Sequence, residues 1–507
     1  MTTITPDEMK SLETLFMSET GTPSILLMEH AAQGVFAAIA RHAPKSARVL
    51  FLCGPGNNGG DGYAAARLWC SGGGQADVWE GTSAVRGDAL TNRTLALLHG
   101  VHVLPSADAV DVAEYAAVVD ALYGTGLNHA IEGDAAILIH RLSDHPQIPV
   151  IAVDIPSGLD GTTGRALGAD VVRAAETVTF HRIKQGLLLR QGVEYTGKIT
   201  VQPILIRPGD DIDLGFGGLE MLSPAALAPL FARTPALHKG DCGRAVIFCG
   251  SRGMVGAAAF CANACIRAGA GLTTLLCRES LLPMLQVLAP GATCVPLPET
   301  NGLLAPQAAR ITRETLDKAD AACIGCGCGL TPDVTMLLRV FAEADCPIVW
   351  DADALTLLAT HDGILPLKEE DIITPHPGEA ARLLEQHVEF ILDEPLDALS
   401  RLHDLCGCCV LLKGARTLVS DGDATYISLY GTPALAKGGS GDVLSGILTA
   451  LLCQRNRLST SLSTSALAAY GVLIHALAGL RAEKRFGANC STPQALIDTI
   501  RLDDKEL

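Results

Sequence analysis

The run Ala436-Lys-Gly-Gly-Ser-Gly-Asp-Val-Leu-Ser-Gly446 sets four glycines, two serines and one carboxylate, Asp442, directly before an apolar helical run over 443–452. Glycine lets backbone N–H groups come close to a ligand, and a helix N-terminus favours negative charge. A carboxylate there would stand beside a bound phosphate or a leaving-group oxygen, which is a good place for a catalytic base. Taken alone, the run reads equally well as a glycine-rich turn whose aspartate offsets the helix dipole.

A second stretch has the same character. Gly54-Pro-Gly-Asn-Asn-Gly-Gly-Asp-Gly62 follows a short apolar strand over 48–53 and precedes a helix over 63–70. Strand, glycine loop and helix bind phosphate or a dinucleotide at the carboxyl end of a parallel sheet, although this loop is neither GxGxxG nor a Walker loop. Asn57, Asn58 and Asp61 add oxygens that could fix a ligand or a cation. Asp120 and Asp154 each end an apolar strand and lead into a glycine loop, Tyr123-Gly-Thr-Gly-Leu127 and Ile155-Pro-Ser-Gly-Leu-Asp160. In a doubly wound sheet such strand ends face one crevice. Asn58, Asp120 and Ser157 would offer oxygen there without thiol or imidazole, the donor set of an alkali or alkaline-earth ion. Each aspartate could instead cap its own turn, but three such features from three strand ends favour a site.

The elements that must position these residues alternate along the chain. In the first half, helices over 9–17 and 23–42 precede strands over 77–79, 101–104, 116–119, 150–153 and 199–206, with helices over 87–98 and 132–142 between them. Acids, glycine and proline over 207–218 read as a linker. In the second half, strands over 243–249, 321–324, 347–350, 372–374 and 409–412 each deliver a loop to one edge. Those loops are Gly250-Ser251, Gly325-Cys-Gly-Cys-Gly329, Asp351-Ala-Asp-Ala-Leu355, Pro375-His-Pro-Gly-Glu379 and Lys413-Gly-Ala-Arg-Thr417. A helix over 256–268 is rich in small residues, so another element packs closely on it. The repetition turns the weak signal of the 436–446 loop into a strong one.

Composition bounds the function. At 507 residues, two to four domains are expected, and 48% hydrophobic against 18% charged residues supports a large core. A net charge of −17 argues against nucleic acid or an anionic membrane as the main partner, without excluding a phosphorylated ligand. The N-terminal residues show no signal peptide, and the apolar stretch 466–480 is short for a span and carries His475, so a buried helix is expected. Among the 17 cysteines, Cys323, Cys326 and Cys328, and Cys406, Cys408 and Cys409, have metal-like spacing. Only His403 accompanies them and both groups adjoin apolar strands, which favours cysteine as a small hydrophobe in a reducing cytoplasm.

The first half resembles the YjeF N-terminal domain family, the NAD(P)H-hydrate epimerases. The residues that carry the resemblance are Leu27-Met-Glu29, the 54–61 loop, Val119-Asp-Ala-Leu-Tyr-Gly-Thr-Gly126 and Val153-Asp-Ile-Pro-Ser-Gly-Leu-Asp160. The resemblance implies that Asn57, Asn58, Gly59, Gly60 and Asp61, with Gly124, Thr125, Gly126, Leu127, Asn128, His129 and Ala130, hold a hydrated nicotinamide nucleotide. Asp154 would contact the damaged ring as the acid/base group, and Asn58, Asp120 and Ser157 would hold potassium. The chain has His30 where the family usually has asparagine.

The second half is similar to the ribokinase-like superfamily, and within it to ADP-dependent NAD(P)H-hydrate dehydratases. The carriers are His238-Lys-Gly-Asp241, Gly250-Ser251, Gly256-Ala-Ala258, Arg267-Ala-Gly-Ala-Gly271, the 351–355, 413–417 and 436–446 loops, and Thr374-Pro-His-Pro-Gly-Glu379, which separates these enzymes from sugar kinases. By motif, Lys413, Gly414, Ala415, Arg416, Thr417 and Gly441 would bind the adenine nucleotide. Ala257, Gly327, His376 and Asp442 would contact the hydrate, and Glu379 would help organise magnesium near the phosphates. Cys326 and Cys328 stand where the family loop has proline and leucine. His376 could equally serve turn shape between its two prolines, Lys413 could snorkel from its strand end, and Asp351 and Asp353 read as helix caps or part of a magnesium network.

The implied architecture is α/β with two domains, a Rossmann-like doubly wound sheet over 1–215 and a ribokinase-like domain over 221–504. The implied function is repair of hydrated NADH and NADPH. The first domain would interconvert the two hydrate configurations, and the second would dehydrate one of them using ADP, with K+ and Mg2+ as ions and a homo-oligomer as the assembly. The rivals are a ribokinase-like small-molecule kinase with a regulatory first domain, and a first domain that senses nucleotide or binds protein without turnover.

Overall fold

The chain divides into two units, Thr2–Leu219 and Glu220–Leu507. A computed structural model describes residues 2–502 except 82, 83, 208, 210–215, 362 and 459–461. The stretch over 207–218 read as a linker therefore lies largely outside the described residues.

In the N-terminal unit, α1 (Pro6–Thr20) is started by a capping box. Thr5 Oγ1 accepts from the Glu8 N–H, and the Glu8 carboxylate accepts from the Thr5 N–H. Helix α2 (Ser24–His42) follows. Strands β1 (Arg48–Cys53), β2 (Gln75–Glu80), β3 (His102–Val103), β4 (Ala117–Ala121), β5 (Val150–Val153), β6 (Glu176–Phe180) and β7 (Lys198–Gln202) form one parallel sheet, ordered β3-β2-β1-β4-β5-β6-β7. Helices α3 (Asn57–Ser71), α4 (Gly87–Leu98) and α5 (Asp134–Ser143) join the earlier strands. Strand β1 is apolar after Arg48 because both of its faces are covered. Val49, Phe51 and Cys53 enter one core and Leu50 and Leu52 the other. The strand order reverses between β1 and β4, so the loops after these strands open the crevice at the sheet's carboxyl edge. The two loops meet backbone to backbone, since a Cβ on Gly54 would lie 1.7 Å from the Leu122 carbonyl oxygen. Only glycine allows that approach.

The C-terminal unit repeats the plan. Strands β8 (Arg244–Phe248), β9 (Leu272–Arg278), β10 (Thr293–Leu297), β11 (Ala321–Ile324), β12 (Ile348–Trp350), β13 (Ile372–Ile373) and β14 (Cys409–Leu412) are parallel, and β15 (Leu418–Ser420) and β16 (Thr425–Ile427) run antiparallel at one edge. The order is β10-β9-β8-β11-β12-β13-β14-β15-β16, with its reversal between β8 and β11. Helix α6 (Val255–Arg267), the one rich in small residues, is covered by α8 (Ser440–Cys453). A Cβ on Gly446 of α8 would lie 2.2 Å from the Cys261 carbonyl oxygen of α6, so the helices touch at the backbone. Helix α7 (Pro377–Leu383) follows β13. Helix α9 (Thr464–Phe486) is long and apolar enough to cross a membrane, yet 83% of its apolar window is buried inside the unit, as a core helix would be.

Two of the glycine loops differ from the sequence expectation in the same way. Helix α3 begins at Asn57 rather than at 63, and α8 begins at Ser440 rather than at 443. Asparagine, glycine and serine are weak helix formers, but close packing at Gly59 against the Gly54 carbonyl overrides propensity. Asn57, Asn58, Ser440 and Asp442 are thus first-turn helix residues, and Asp61 stands in the second turn of α3. Strand β6 was not anticipated because Glu176, Thr177 and Thr179 break its apolar pattern, although all five of its residues are buried. The β15–β16 hairpin was not anticipated either.

Candidate active sites

In the N-terminal unit, Asp154 follows β5 with φ 63°, a left-handed backbone that only its surroundings can hold in a non-glycine residue. Its Oδ1 accepts from Lys184 Nζ (2.6 Å), Thr179 Oγ1 (3.0 Å) and the Phe180 N–H (3.3 Å). Lys184 is 1% exposed and also donates to the Phe180 carbonyl at 3.0 Å. The segment ahead of α1 pins it, with the Ile4 N–H on the Ile183 carbonyl and the Gln185 N–H on the Ile4 carbonyl. Glu13 of α1 and Asp61 of α3 lie within Coulombic reach of both Asp154 and Lys184. Burial pushes Asp61 well above the ordinary carboxylate range; the charges of Asp154 and Glu13 push the same way, and Lys184 opposes them. Burial also raises Glu13. The two aspartates thus stand in unequal surroundings, Asp154 bonded to Lys184 and Asp61 buried without such a bond, the kind of difference that acid–base chemistry uses.

Beside this group lies an oxygen-lined corner. Asp120 is fully buried; Ser157 donates to it through Oγ (2.6 Å) and through its N–H (2.8 Å), and the Leu122 N–H donates at 3.3 Å. Burial lifts Asp120 to about 6 against these hydrogen bonds. Ser157 Oγ also contacts the Tyr123 carbonyl (3.1 Å) and accepts from the Tyr123 N–H (2.9 Å). Asn58 packs on Gly124, where a Cβ would lie 3.2 Å from Asn58 Oδ1, and its buried amide nitrogen has no partner among the described residues. The structure thus brings Asn58, Asp120, Ser157 and Gly124 together. Gly126, Asn128, His129 and Ala130 form an exposed rim, with Thr125 and Leu127 half-buried.

In the C-terminal unit the centre is Asp351, which ends β12 and is 2% exposed. Its Oδ1 accepts from Lys413 Nζ at 2.8 Å, and its Oδ2 accepts from Ser445 Oγ of α8 at 2.7 Å and from Cys326 Sγ at 3.5 Å. Burial works against its charge, yet Lys413 and the hydroxyl partners hold Asp351 below the ordinary range. Burial likewise works against Lys413, and Asp351 and Glu379 more than restore it. Glu379 Oε2 stands 3.7 Å from Lys413 Nζ and accepts the His376 N–H at 2.8 Å, while His376 Nδ1 accepts from the Gly378 N–H at 3.0 Å. His376 therefore caps α7, and its ring is more than half exposed.

Asp442 stands in the first turn of α8, after Gly439 at φ 96°. Burial raises it to about 6, with Asp351 and Asp353 pushing the same way and Cys326 and Lys413 opposing. Gly441 faces the ion pair: a Cβ there would lie 3.8 Å from both Asp351 Oδ2 and Lys413 Nζ. Ser440 Oγ meets His475 Nε2 of α9 at 3.1 Å, and burial takes that imidazole down to about 4, so it is neutral. Gly327 at φ 60° packs on Ala257, and the Gly329 N–H donates to Asp353 Oδ2 at 2.8 Å. Of the 413–417 loop, Gly414 and Ala415 are exposed, Arg416 donates to the Leu429 carbonyl, and Thr417 Oγ1 donates to the Gly414 carbonyl at 3.4 Å.

Sequence reasoning missed Lys184, Glu13, Thr179, Ser445 and the role of Asp351 as the counter-ion of Lys413. One signal was available. A lysine inside Ile183-Lys-Gln-Gly-Leu-Leu-Leu189 is a charge in an apolar run, and a buried charge needs a partner.

Two family models match the chain: NAD(P)H-hydrate dehydratase over residues 245–502, and the YjeF-related protein N-terminus over residues 24–186. The bifunctional NAD(P)H-hydrate repair enzyme of Moorella thermoacetica is 34% identical over 98% of this chain and 95% of its own length. The chain belongs to this family of bifunctional repair enzymes. The Escherichia coli member of the family is 36% identical over 94% of this chain and 88% of its own. A solved structure of the Bacillus subtilis ADP/ATP-dependent NAD(P)H-hydrate dehydratase is 24% identical, covers 56% of this chain and 96% of that one, and has a TM-score of 0.48.

Proposed function

We propose that the chain restores hydrated NADH and NADPH in two steps, epimerisation in the N-terminal crevice and ADP-dependent dehydration in the C-terminal one. The observation that carries this reading is kinship with bifunctional repair enzymes over nearly the whole chain, both crevices included.

For dehydration, Asp442 takes the proton of the hydrate hydroxyl as that oxygen attacks the terminal phosphorus of ADP. The bond from that phosphorus to the bridging oxygen breaks and AMP leaves. The N–H groups at the start of α8 and its dipole stabilise the charge spread over the transferring group. The ring carbon then releases phosphate, a neighbouring ring proton is lost, and the double bond of the dihydronicotinamide returns. Lys413 keeps an N–H free beyond Asp351 and Glu379 for a phosphate oxygen, because an ammonium has three donors. Asp351, Asp353 and Glu379 outnumber the single ammonium among them, a charge balance that suits magnesium held indirectly through water; bound there, magnesium would neutralise phosphate charge.

For epimerisation, Asp154 holds or receives the proton exchanged as the hydroxyl-bearing carbon opens and recloses, and Lys184 holds it in position. Asn58, Asp120, Ser157 and the Tyr123 carbonyl suit potassium: all can offer oxygen, and a cation would offset the burial that raises Asp120. The free, mostly buried thiols suit a reducing cytoplasm.

The test incubates both hydrate epimers of NADH with the full chain, with and without ADP and magnesium, and follows reduced-nicotinamide absorbance. Recovery from both epimers only with ADP is the expected result. A stable phosphorylated product with no recovery would instead indicate the kinase reading.

A further inference from the structure

Four cysteines distant in sequence meet in the core of the C-terminal unit. Cys249 follows β8, Cys261 lies on α6, Cys323 lies on β11, and Cys326 lies in the loop after β11. Their sulfurs all lie within 4.8 Å of one another, and all four side chains are buried. Cys261 Sγ and Cys323 Sγ stand 3.9 Å apart. We propose that these four thiols form a closed tetrahedral site for one divalent ion of zinc type.

The donor set and its dimensions argue for this ligand. Four sulfurs in a tetrahedron select zinc or iron–sulfur chemistry among biological metals. A zinc–sulfur bond of about 2.3 Å places tetrahedral thiolates about 3.8 Å apart, so ligation asks these four to draw in by under about 1 Å. An iron–sulfur cluster spreads its thiolates over more than one iron and needs them farther apart than this group stands. Cys323 and Cys326 have the C-x-x-C spacing common in zinc sites, and the other pair comes from the neighbouring strand end and helix.

Packing alone accounts less well for the arrangement. Cysteine is a good small core residue, and Cys406, Cys408 and Cys409 fill that role beside β14. Among the described residues, the Cys249–Cys261–Cys323–Cys326 group is the set of metal-ligand side chains that converges on one point. Binding would displace the four thiol protons to solvent and leave a net charge of −2 on the ion and its ligands. Lys413 lies within Coulombic reach of Cys326 to offset part of it. On ligation, Asp351 and Asp442 would both lose the Cys326 thiol as a donor, and Asp351 would keep Lys413 and Ser445. The ion would tie the Gly325–Gly329 loop to β8 and α6 directly behind Asp351.

The test measures metal on the full chain. Protein expressed with supplementary zinc and purified under reductant is analysed by elemental and native mass spectrometry. A second sample is refolded from denaturant with zinc or cobalt. About one equivalent per chain is expected in both, with the thiolate charge-transfer bands of tetrahedral cobalt. Cys249→Ser and Cys261→Ser should each reduce the metal to a small fraction, while Cys406→Ser should retain it. Wild-type protein with no metal above background in either preparation overturns the proposal, and it does so even if the variants fail to fold. A full equivalent persisting in Cys249→Ser/Cys261→Ser overturns it as well, as does a Cys261–Cys323 disulfide in protein isolated under reductant.

Discussion

The two crevices use the same three charges in different pairings. Each holds one lysine, buried Lys184 or half-buried Lys413, one aspartate bound to it, and a second carboxyl group that burial has raised. In the N-terminal unit, Lys184 takes Asp154, the proposed acid/base group itself, and Asp61 is left raised. In the C-terminal unit, Lys413 takes Asp351, a supporting residue, and Asp442, the proposed base, is left raised to about 6. A base bonded to an ammonium is held in a fixed position. A base denied the ammonium is poised to gain or lose its proton near neutrality. The first suits a reversible rearrangement of a ring, and the second suits proton removal coupled to phosphoryl transfer.

The sharpest way to break this comparison is to remove the second base. Asp442→Asn should lower the dehydration rate about 10²–10⁴-fold. Epimer exchange should stay within about twofold, because the two crevices are built from separate units. Near wild-type recovery of NADH from its hydrate would remove Asp442 from the chemistry.

The next effect is on stability and tests the supporting role of Lys413. Lys413→Met leaves Asp351 charged and buried without its partner, a situation that costs about 3–5 kcal/mol. Denaturant unfolding should show that loss, and Lys413→Met/Asp351→Leu should recover much of it. Lys184→Met is the matching change in the other crevice. It should slow epimer exchange about 10²-fold through loss of Asp154 positioning, with ADP-dependent dehydration of the accepted epimer unaltered. If Lys184→Met exchanges epimers at the wild-type rate, the parallel between the two lysines fails.

The fold was more legible in the sequence than these pairings. Parallel strands covered on both faces announce themselves as short apolar runs ending in glycine loops, so β1, β5, β11 and β14 lie at their expected bounds. Strand β6 hid because its buried polar side chains find partners far off in the sequence: Thr177 bonds the Thr196 carbonyl, and Glu176 bonds Arg41 and Thr200. The loops were legible as sites because glycine and aspartate stand where the topology must bring them together. The lysine partners were not. Lys184 and Asp154 are 30 residues apart, and Lys413 and Asp351 are 62 apart, and no local periodicity records such a distance.

The pH profile separates the two bases further. Dehydration needs ionised Asp442, so its rate should rise through about pH 6 and level off above it, lying about tenfold below the plateau one unit under the midpoint. The same shift has a thermodynamic sign. The folded value lies above the unfolded value of about 3.9, so Asp442 contributes stability that is present below about pH 4 and lost as pH rises through about 6. Asp442→Asn should flatten that part of the stability profile while removing activity. A rate profile with no inflection between about pH 5 and 7 would break the distinction between a poised and a fixed base.

The smallest effect concerns the oxygen-lined corner beside Asp154, which has no counterpart among the charges of the other crevice. Asp120 is fully buried and hydrogen-bonded only to neutral donors, Ser157 and Leu122. Potassium bound there, as proposed, would stabilise the folded state by mass action, by about 1.4 kcal/mol at ten times its dissociation constant. For a unit of this size that corresponds to a rise in Tm of about 3–6 °C. Sodium at equal ionic strength should give less, since salt screening is common to both ions. Asp120→Asn removes the anionic oxygen and leaves a buried donor facing the amide N–H, so the sodium baseline should fall by about 1–3 kcal/mol and the potassium increment above it should vanish. An increment that survives Asp120→Asn would move the ion elsewhere and leave Asp120 as a structural acceptor for the Ser157 turn.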